Sequence, residues 1–167
     1  MPSLREHMQE YRKQLQAGVI QQAYRGLMQY MLDLRTHFAK EHPDMAPGNT
    51  YFGYMDMTYF PLFPAALKER KLKIAIVFLH EACRFEVWLS ANNKQVQGAY
   101  LTLFKESGWD KHRLVPTAQG YDSIVESVVA DNPDWGNLPA LTAQIEEGTL
   151  AFIQDVEGFL ARYPNHG

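Results

Sequence analysis

Two strand-like runs with only three residues between them constrain the fold of this chain most. The runs Lys73–Leu79 and Cys83–Leu89 are rich in β-branched and aromatic residues. A two-residue turn at Glu81-Ala82 predicts an antiparallel hairpin with three apolar pairs: Phe78 with Phe85, Ile76 with Val87, and Ile74 with Leu89. One face of this hairpin is uniformly apolar, and we therefore expect it to lie in the core.

The turn is the least typical part of this hairpin. Glu81-Ala82 lacks the glycine or asparagine that two-residue turns favour. A four-residue loop with the pairing shifted by a step would keep the parity of the side chains within each strand. The apolar face is thus predicted with either turn, while the opposite face is mixed in character.

Helical periodicity occurs at both ends of the chain. Near the start, apolar residues recur at spacings of four, three and four, after a possible N-cap at Ser3: Leu4, Met8, Tyr11 and Leu15. Gly18 interrupts the pattern and a second one runs from Ala23 to Phe38, which predicts one bent helix or a helical pair. A last helix of about 25 residues is expected from its cap at Asn137, with Pro139 near its start.

The remaining segments complete the predicted architecture. Tyr51–Tyr59 and Asp122–Ala130 have the composition of strands, Leu62–Arg70 of a short helix, and the segment between Asn92 or Asn93 and Gly108 of a longer one. Because adjacent hairpin strands imply antiparallel pairing, the fold class is α+β. We predict a mainly antiparallel sheet of about four strands with a central hairpin. It is packed by N-terminal helices and a long C-terminal helix in a single domain, residues 1–167.

Charge and composition narrow the class of protein. The chain has 167 residues, 16 basic and 19 acidic, so its net charge of −3 does not predict a nucleic-acid partner. No apolar stretch approaches the length of a membrane span, and the first residues lack the apolar core of a signal peptide. The single cysteine, Cys83, excludes an internal disulfide. These features predict a cytoplasmic protein without a membrane partner.

The densest polar group of the chain lies in the second run of the hairpin. Arg84, Glu86 and Trp88 share one side of an extended strand because side chains alternate with a period of two. A guanidinium, a carboxylate and an indole, joined by Tyr54 and Asp56, are the candidate ligand-binding residues for a small molecule or an anion. The alternative is a partly covered sheet face on which Arg84 and Glu86 pair with their neighbours.

His80 and Glu81 are weaker candidates. With Asp56 and Glu86 they offer nitrogen and oxygen ligands, but Arg84 stands where an HExxH motif has its second histidine. We therefore predict no metal site and no cofactor, and we expect His37, His42 and the other histidines to form no cluster at the spacing of metal ligands. Cys83 is expected to be buried rather than to act as a nucleophile paired with His80.

Aromatic residues make up 13% of the chain and are concentrated in Tyr51–Phe63. They are expected to belong to the core, or else to line a pocket or a dimer face.

Three stretches together resemble a family of small bacterial proteins known only as a domain of unknown function. They are Tyr54–Phe60, Leu72–Ile74 and His80–Leu89, and the resemblance extends over most of the chain. It implies a bacterial single-domain protein and assigns no activity or site residues.

Three classes of function remain open, in this order. The first is a small-molecule or anion-binding module that uses the mixed sheet face. The second is a homodimeric interaction protein, and the third is an enzyme with acid–base or metal chemistry.

Overall fold

The two apolar runs form the central hairpin of a five-stranded sheet, in a computed structural model that describes residues 1–165. Strands β2 (Leu72–Leu79) and β3 (Arg84–Ala91) are antiparallel, and Phe78 lies opposite Phe85 as predicted. The backbone N–H of Cys83 donates to the carbonyl of His80 (3.2 Å), so Glu81 and Ala82 are the central residues of the turn. The predicted register is confirmed.

The turn needs no glycine because its positive backbone angle falls on the next residue. Neither Glu81 nor Ala82 has a positive φ, which excludes the type I′ turn, while Cys83 has a φ of 52°. Cys83 is consequently exposed, and the expectation that it is buried is wrong. The residue lies in the turn and not in the strand, where its side chain would have packed.

The other three strands are β1 (Met57–Leu62), β4 (Arg113–Leu114) and β5 (Val125–Ala130). The sheet has the order β1-β2-β3-β5-β4, and all of its strand pairs are antiparallel. The strand predicted at Tyr51–Tyr59 begins later, at Met57. Before Met57 the only strand pairing among the described residues is an isolated bridge from Tyr51 to Tyr59. Pro61 lies inside β1 without breaking it, because β1 is an edge strand that needs no second row of hydrogen bonds.

Five α-helices occur within residues 1–165. They are α1 (Leu4–Gln16), α2 (Val19–Glu41), α3 (Ala65–Lys68), α4 (Lys94–Glu106) and α5 (Leu138–Leu160). The predicted caps are present: Asn93 accepts from the N–H of Val96 (2.9 Å) and Asn137 from that of Ala140 (3.2 Å). None of these helices is long and apolar enough to cross a membrane.

The sheet is covered by helices on one face. The predicted apolar hairpin face, with Ile76 and Phe85, packs in one large cluster with Phe38 of α2, Phe104 of α4 and Phe152 of α5. A second, small cluster of Ala75, Val77 and Trp88 lies on the opposite face, and none of the described helices contributes to it. The fold is therefore α+β, with one sheet face open.

Helix α1 stands apart from both clusters. It has a capping box between Ser3 and Glu6, and none of its residues is buried. Gly18, whose φ of 78° is left-handed, separates it from α2, so of the two predicted arrangements the helical pair is the one that forms.

Candidate functional site

The structure places three of the predicted site residues together on the open sheet face. Glu86 is only 3% exposed, and its carboxylate accepts hydrogen bonds from Nε of Arg84 (2.7 Å) and Nε1 of Trp88 (2.9 Å). Because a buried carboxylate is costly unless it is paired, these two donors account for its presence there. Both oxygens of Glu86 are thus already engaged within the protein.

A shallow groove of about 260 Å³ runs beside this trio, between the side chains of Arg84 and Arg113. Glu126, on the neighbouring strand, accepts from Nη2 of Arg113 (2.9 Å) and from the hydroxyl of Ser123 (2.6 Å). The groove is therefore lined by two guanidinium groups and two paired carboxylates.

Tyr54 and Asp56 do not join the trio. Tyr54 is 87% exposed, and Asp56 closes a tight loop by accepting from the N–H of Tyr54 (2.9 Å). Hydrogen bonds from the N–H groups of Tyr54 and Met57 and from its own N–H lower the pKa of Asp56. The loop requires Gly53, which has a φ of 77° and whose Cβ would lie 2.0 Å from the carbonyl oxygen of Met57. Asp56 is thus a turn-forming residue beside His80 rather than a member of the Arg84 group.

His80 lies at the end of β2 on the helix-covered face, and its hydrogen bonds define its tautomer. Its Nε2 lies 2.8 Å from the hydroxyl of Thr58, and that hydroxyl donates its hydrogen to the carbonyl of Phe52 (2.6 Å). Since Thr58 has no second hydrogen to give, Nε2 of His80 must be the donor. The other ring nitrogen, Nδ1, is then an acceptor, and no described residue donates to it.

Burial keeps this imidazole neutral. It lowers the pKa of His80 below its ordinary value of 6.5, and the nearby carboxylate of Asp56 offsets only part of the effect. The ring lies between Phe78 (centroids 5.1 Å apart) and Tyr24 of α2 (6.2 Å). Glu81, its neighbour in the turn, is exposed.

A cleft of about 640 Å³ opens in front of His80, and we call it the α2 cleft. Its lining residues come from α2, the loop before β1, the hairpin end, and the turn that leads into α5. They include Ala23, Leu27, Met55, Phe78, Trp135 and Leu138. The indole of Trp135 packs against Tyr30 (6.0 Å) and Phe85 (5.9 Å). Most of the lining side chains are apolar. His80 is the only histidine among the described lining residues.

Sequence reasoning did not single out Trp135 or the α2 residues of this cleft. They lie fifty or more residues from His80 in the chain, so no local spacing connects them. A signal was nevertheless present in Trp135, a large apolar ring between Asp134 and Gly136 in a polar turn.

A second group of titratable side chains joins α2 to α5. Nε2 of His37 (2.9 Å) and Nε2 of His42 (2.8 Å) both contact one carboxylate oxygen of Glu146. Sequence spacing gave no sign of this group, because the shared carboxylate comes from a distant helix. His166 lies outside the described residues. Within the described chain no three His, Cys, Asp or Glu residues are arranged to hold a metal ion.

Comparison with known proteins gives a family. A family model described as a domain of unknown function, DUF7000, matches residues 4–160. The chain therefore belongs to this family, and the resemblance drawn from its sequence is confirmed. No curated protein and no solved structure matches the chain.

Proposed function

We propose that this member of the DUF7000 family binds a small, largely apolar molecule with one hydrogen-bond donor in the α2 cleft. The observation that carries the proposal is that His80, whose Nδ1 has no donor among residues 1–165, lines a largely apolar cleft of about 640 Å³. Cavities of roughly 300–1,000 Å³ with apolar walls and a few fixed polar groups are typical ligand sites.

The apolar lining residues and His80 have different roles in this proposal. Apolar contacts with Leu27, Phe78 and Trp135 supply affinity by removing apolar surface from water. His80 supplies orientation, because its Nδ1 accepts a hydrogen bond only from a ligand hydroxyl or N–H group. Thr58 supports His80 by holding the ring in the required tautomer.

A pair of probes that differ in one donor tests this proposal. We expect 2-naphthol to raise the melting temperature, and to quench tryptophan fluorescence, more than 2-methylnaphthalene, which has the same shape without the hydroxyl. This preference should weaken as the pH falls through the lowered pKa of His80, because protonated Nδ1 becomes a donor and loses its acceptor lone pair.

Two glycines provide matched variants for this experiment. Gly26 lines the cleft on α2 and Gly98 lies on α4, and a Cβ at either position meets no atom within 4 Å. Gly26→Leu should fill the cleft and abolish binding of 2-naphthol, while Gly98→Leu should bind it like the wild type. Both changes favour helix, so neither should unfold the protein. Equal binding by the two variants, or none by the wild type, would contradict the proposal.

The open-face groove supports a second candidate function, the binding of a small anion. Arg84 uses Nε for Glu86, and its two terminal nitrogens have no acceptor among residues 1–165. Arg113 lines the same groove and is 66% exposed. Two guanidinium groups at one groove are suited to a tetrahedral oxyanion.

Sulfate is the probe for this second site. We expect sulfate to stabilise the wild type against heating more than chloride does at equal ionic strength, and Arg113→Gln to remove the difference. Arg25→Gln, on an exposed position of α2, is the control for the loss of one charge. A sulfate effect that survives in Arg113→Gln would reflect general salting-out and would refute the anion site.

A further inference from the structure

Helix α1 carries an apolar stripe that the rest of the described chain does not cover. Leu4 is 75% exposed, Met8 51% and Tyr11 50%. An amphipathic helix normally buries such a stripe, and most of its stability comes from that burial. The capping box at Ser3 begins α1 with well-formed hydrogen bonds, so this is a regular helix whose apolar face lacks a partner.

The rim of the α2 cleft is also apolar and exposed. It is formed by residues from three parts of the chain: Ile20, Met55, Trp135 and Leu138. Their exposed fractions are 37%, 51%, 41% and 40%. The same chain therefore presents an uncovered apolar helix face and an uncovered apolar rim. Either one alone would be a minor feature, but together they are two apolar surfaces that can cover each other.

Charges beside the two surfaces are of opposite sign. Arg5 and Arg12 lie one position after Leu4 and Tyr11, along one edge of the α1 stripe. Two acidic residues, Asp131 and Asp134, lie shortly before the rim residue Trp135, and Glu81 lies in the hairpin turn between the cleft-lining residues His80 and Cys83. Helix and rim are thus complementary in charge as well as in apolar character.

The joint between α1 and α2 holds α1 away from the cleft of its own chain. The carbonyl of Leu15 accepts from the N–H of Gly18 (3.0 Å) and from the side chain of Gln21 (2.7 Å). Gly18 is left-handed, and only two residues connect the helices. Folding α1 back along α2 would require these contacts to break.

We infer that α1 of a second copy of this chain lies across the rim of the α2 cleft, with the stripe of Leu4, Met8 and Tyr11 against Trp135 and Leu138. The connection between α1 and α2 lies beside the cleft, because Ile20 lines it just after Gly18. A two-fold axis near Gly18 therefore lets each copy place its α1 on the cleft of the other. At 1.5 Å per residue, the 13 residues of α1 span about 20 Å, enough to bridge a cleft mouth.

Direct pairing of two α1 helices would also cover the stripe, but it is less favourable in charge. In heptad terms Arg5 and Arg12 occupy e positions, next to the apolar seam. An antiparallel pair would place Arg5 of one copy beside Arg12 of the other, and a parallel pair would place Arg12 beside His7. Neither arrangement offers an opposite charge, whereas the cleft rim does.

This contact goes beyond the proposed ligand and does not require it. A helix across the rim leaves the deeper residues His80 and Phe78 free, so it would close the cleft over a bound molecule rather than fill it.

Light scattering over a concentration series, with three single-residue variants, tests the inference. We expect a dimer for the wild type and for Gln9→Glu, which adds the same charge away from the stripe. Met8→Glu and Leu138→Glu should each raise the dimer dissociation constant by about tenfold or more, because each buries a charge in the contact. Both positions are exposed in the single chain, so folding should be unaffected.

Mixing the two disrupted variants identifies the partner surface. The Met8→Glu chain keeps an intact cleft and the Leu138→Glu chain keeps an intact α1, so their mixture should form a heterodimer with one good contact. A monomeric wild type would overturn the inference. So would a Leu138→Glu variant that dimerises normally, which would indicate an α1–α1 pair. Binding of 2-naphthol by monomeric Met8→Glu reports on the ligand site separately.

Discussion

At the residue scale, Glu86 and His80 show how hydrogen bonds decide what a polar side chain can do. Glu86 has both oxygens occupied by Arg84 and Trp88, so it acts within the protein as an acceptor that orders two neighbours. His80 has one nitrogen occupied by Thr58 and the other available. Of the two, the histidine is better placed to receive a ligand.

Thr58 permits a direct test of this arrangement. Thr58→Val keeps the shape of the side chain but removes the hydroxyl between Phe52 and His80, leaving two polar groups without partners. We expect the free energy of unfolding to fall by about 2 kcal/mol, measured by urea denaturation.

Thr149→Val is the control for Thr58→Val. Thr149 is equally buried at 0% exposure, yet its hydroxyl has no partner in the described chain. Its replacement should be neutral or stabilising. If both variants lose the same stability, the hydrogen bonds of Thr58 have no special role.

At the element scale, the hairpin turn shows how a sequence without glycine reaches the register of a tight turn. The alternation of side chains determined the apolar faces of β2 and β3. The left-handed backbone conformation is at Cys83, just after the two central turn residues. The sequence therefore predicted the pairing correctly even though the residues at the turn are unusual. The start of β1 was predicted wrongly because the loop at Gly53 and Asp56 depends on hydrogen bonds that alternation does not reveal.

The contact of His37 and His42 with Glu146 joins α2 to α5, and it should make the free energy of unfolding depend on pH. Partial burial raises the pKa of Glu146, but hydrogen bonds from His42 and His37 outweigh it, so the net pKa lies below 4.5. A lowered carboxyl pKa gives stability that is present above the unfolded-state value and is lost as the pH falls through the folded-state value.

Glu146→Gln should therefore destabilise the protein by about 1 kcal/mol near neutral pH. The difference from the wild type should shrink as the pH falls through the lowered folded-state pKa of Glu146, because the wild-type carboxylate is then itself protonated. Urea denaturation at several pH values measures both effects. Glu147→Gln, at the exposed neighbouring position, is the control, and an equal loss in the two variants would count against the contact.

At the scale of the whole molecule, the helices cover one face of the sheet and leave three surfaces uncovered. These are the open sheet face, the α2 cleft and the stripe of α1. We have proposed an anion for the open sheet face, a small apolar ligand for the α2 cleft and a second copy of the chain for the α1 stripe. The experiments with Gly26, Arg113 and Met8 address the three surfaces independently.

The sequence by itself determined the α+β class, the hairpin register, the break at Gly18, the cap at Asn137 and a second cap at Asn92 or Asn93. These features depend on spacing and on hydrogen bonds between residues close together in the chain. Tertiary structure alone decided that Asp56 lies apart from Arg84, that His37 and His42 share Glu146, and that Trp135 meets His80 across a cleft. Such contacts join segments far apart in the chain, and their geometry is set by how helices pack on the sheet.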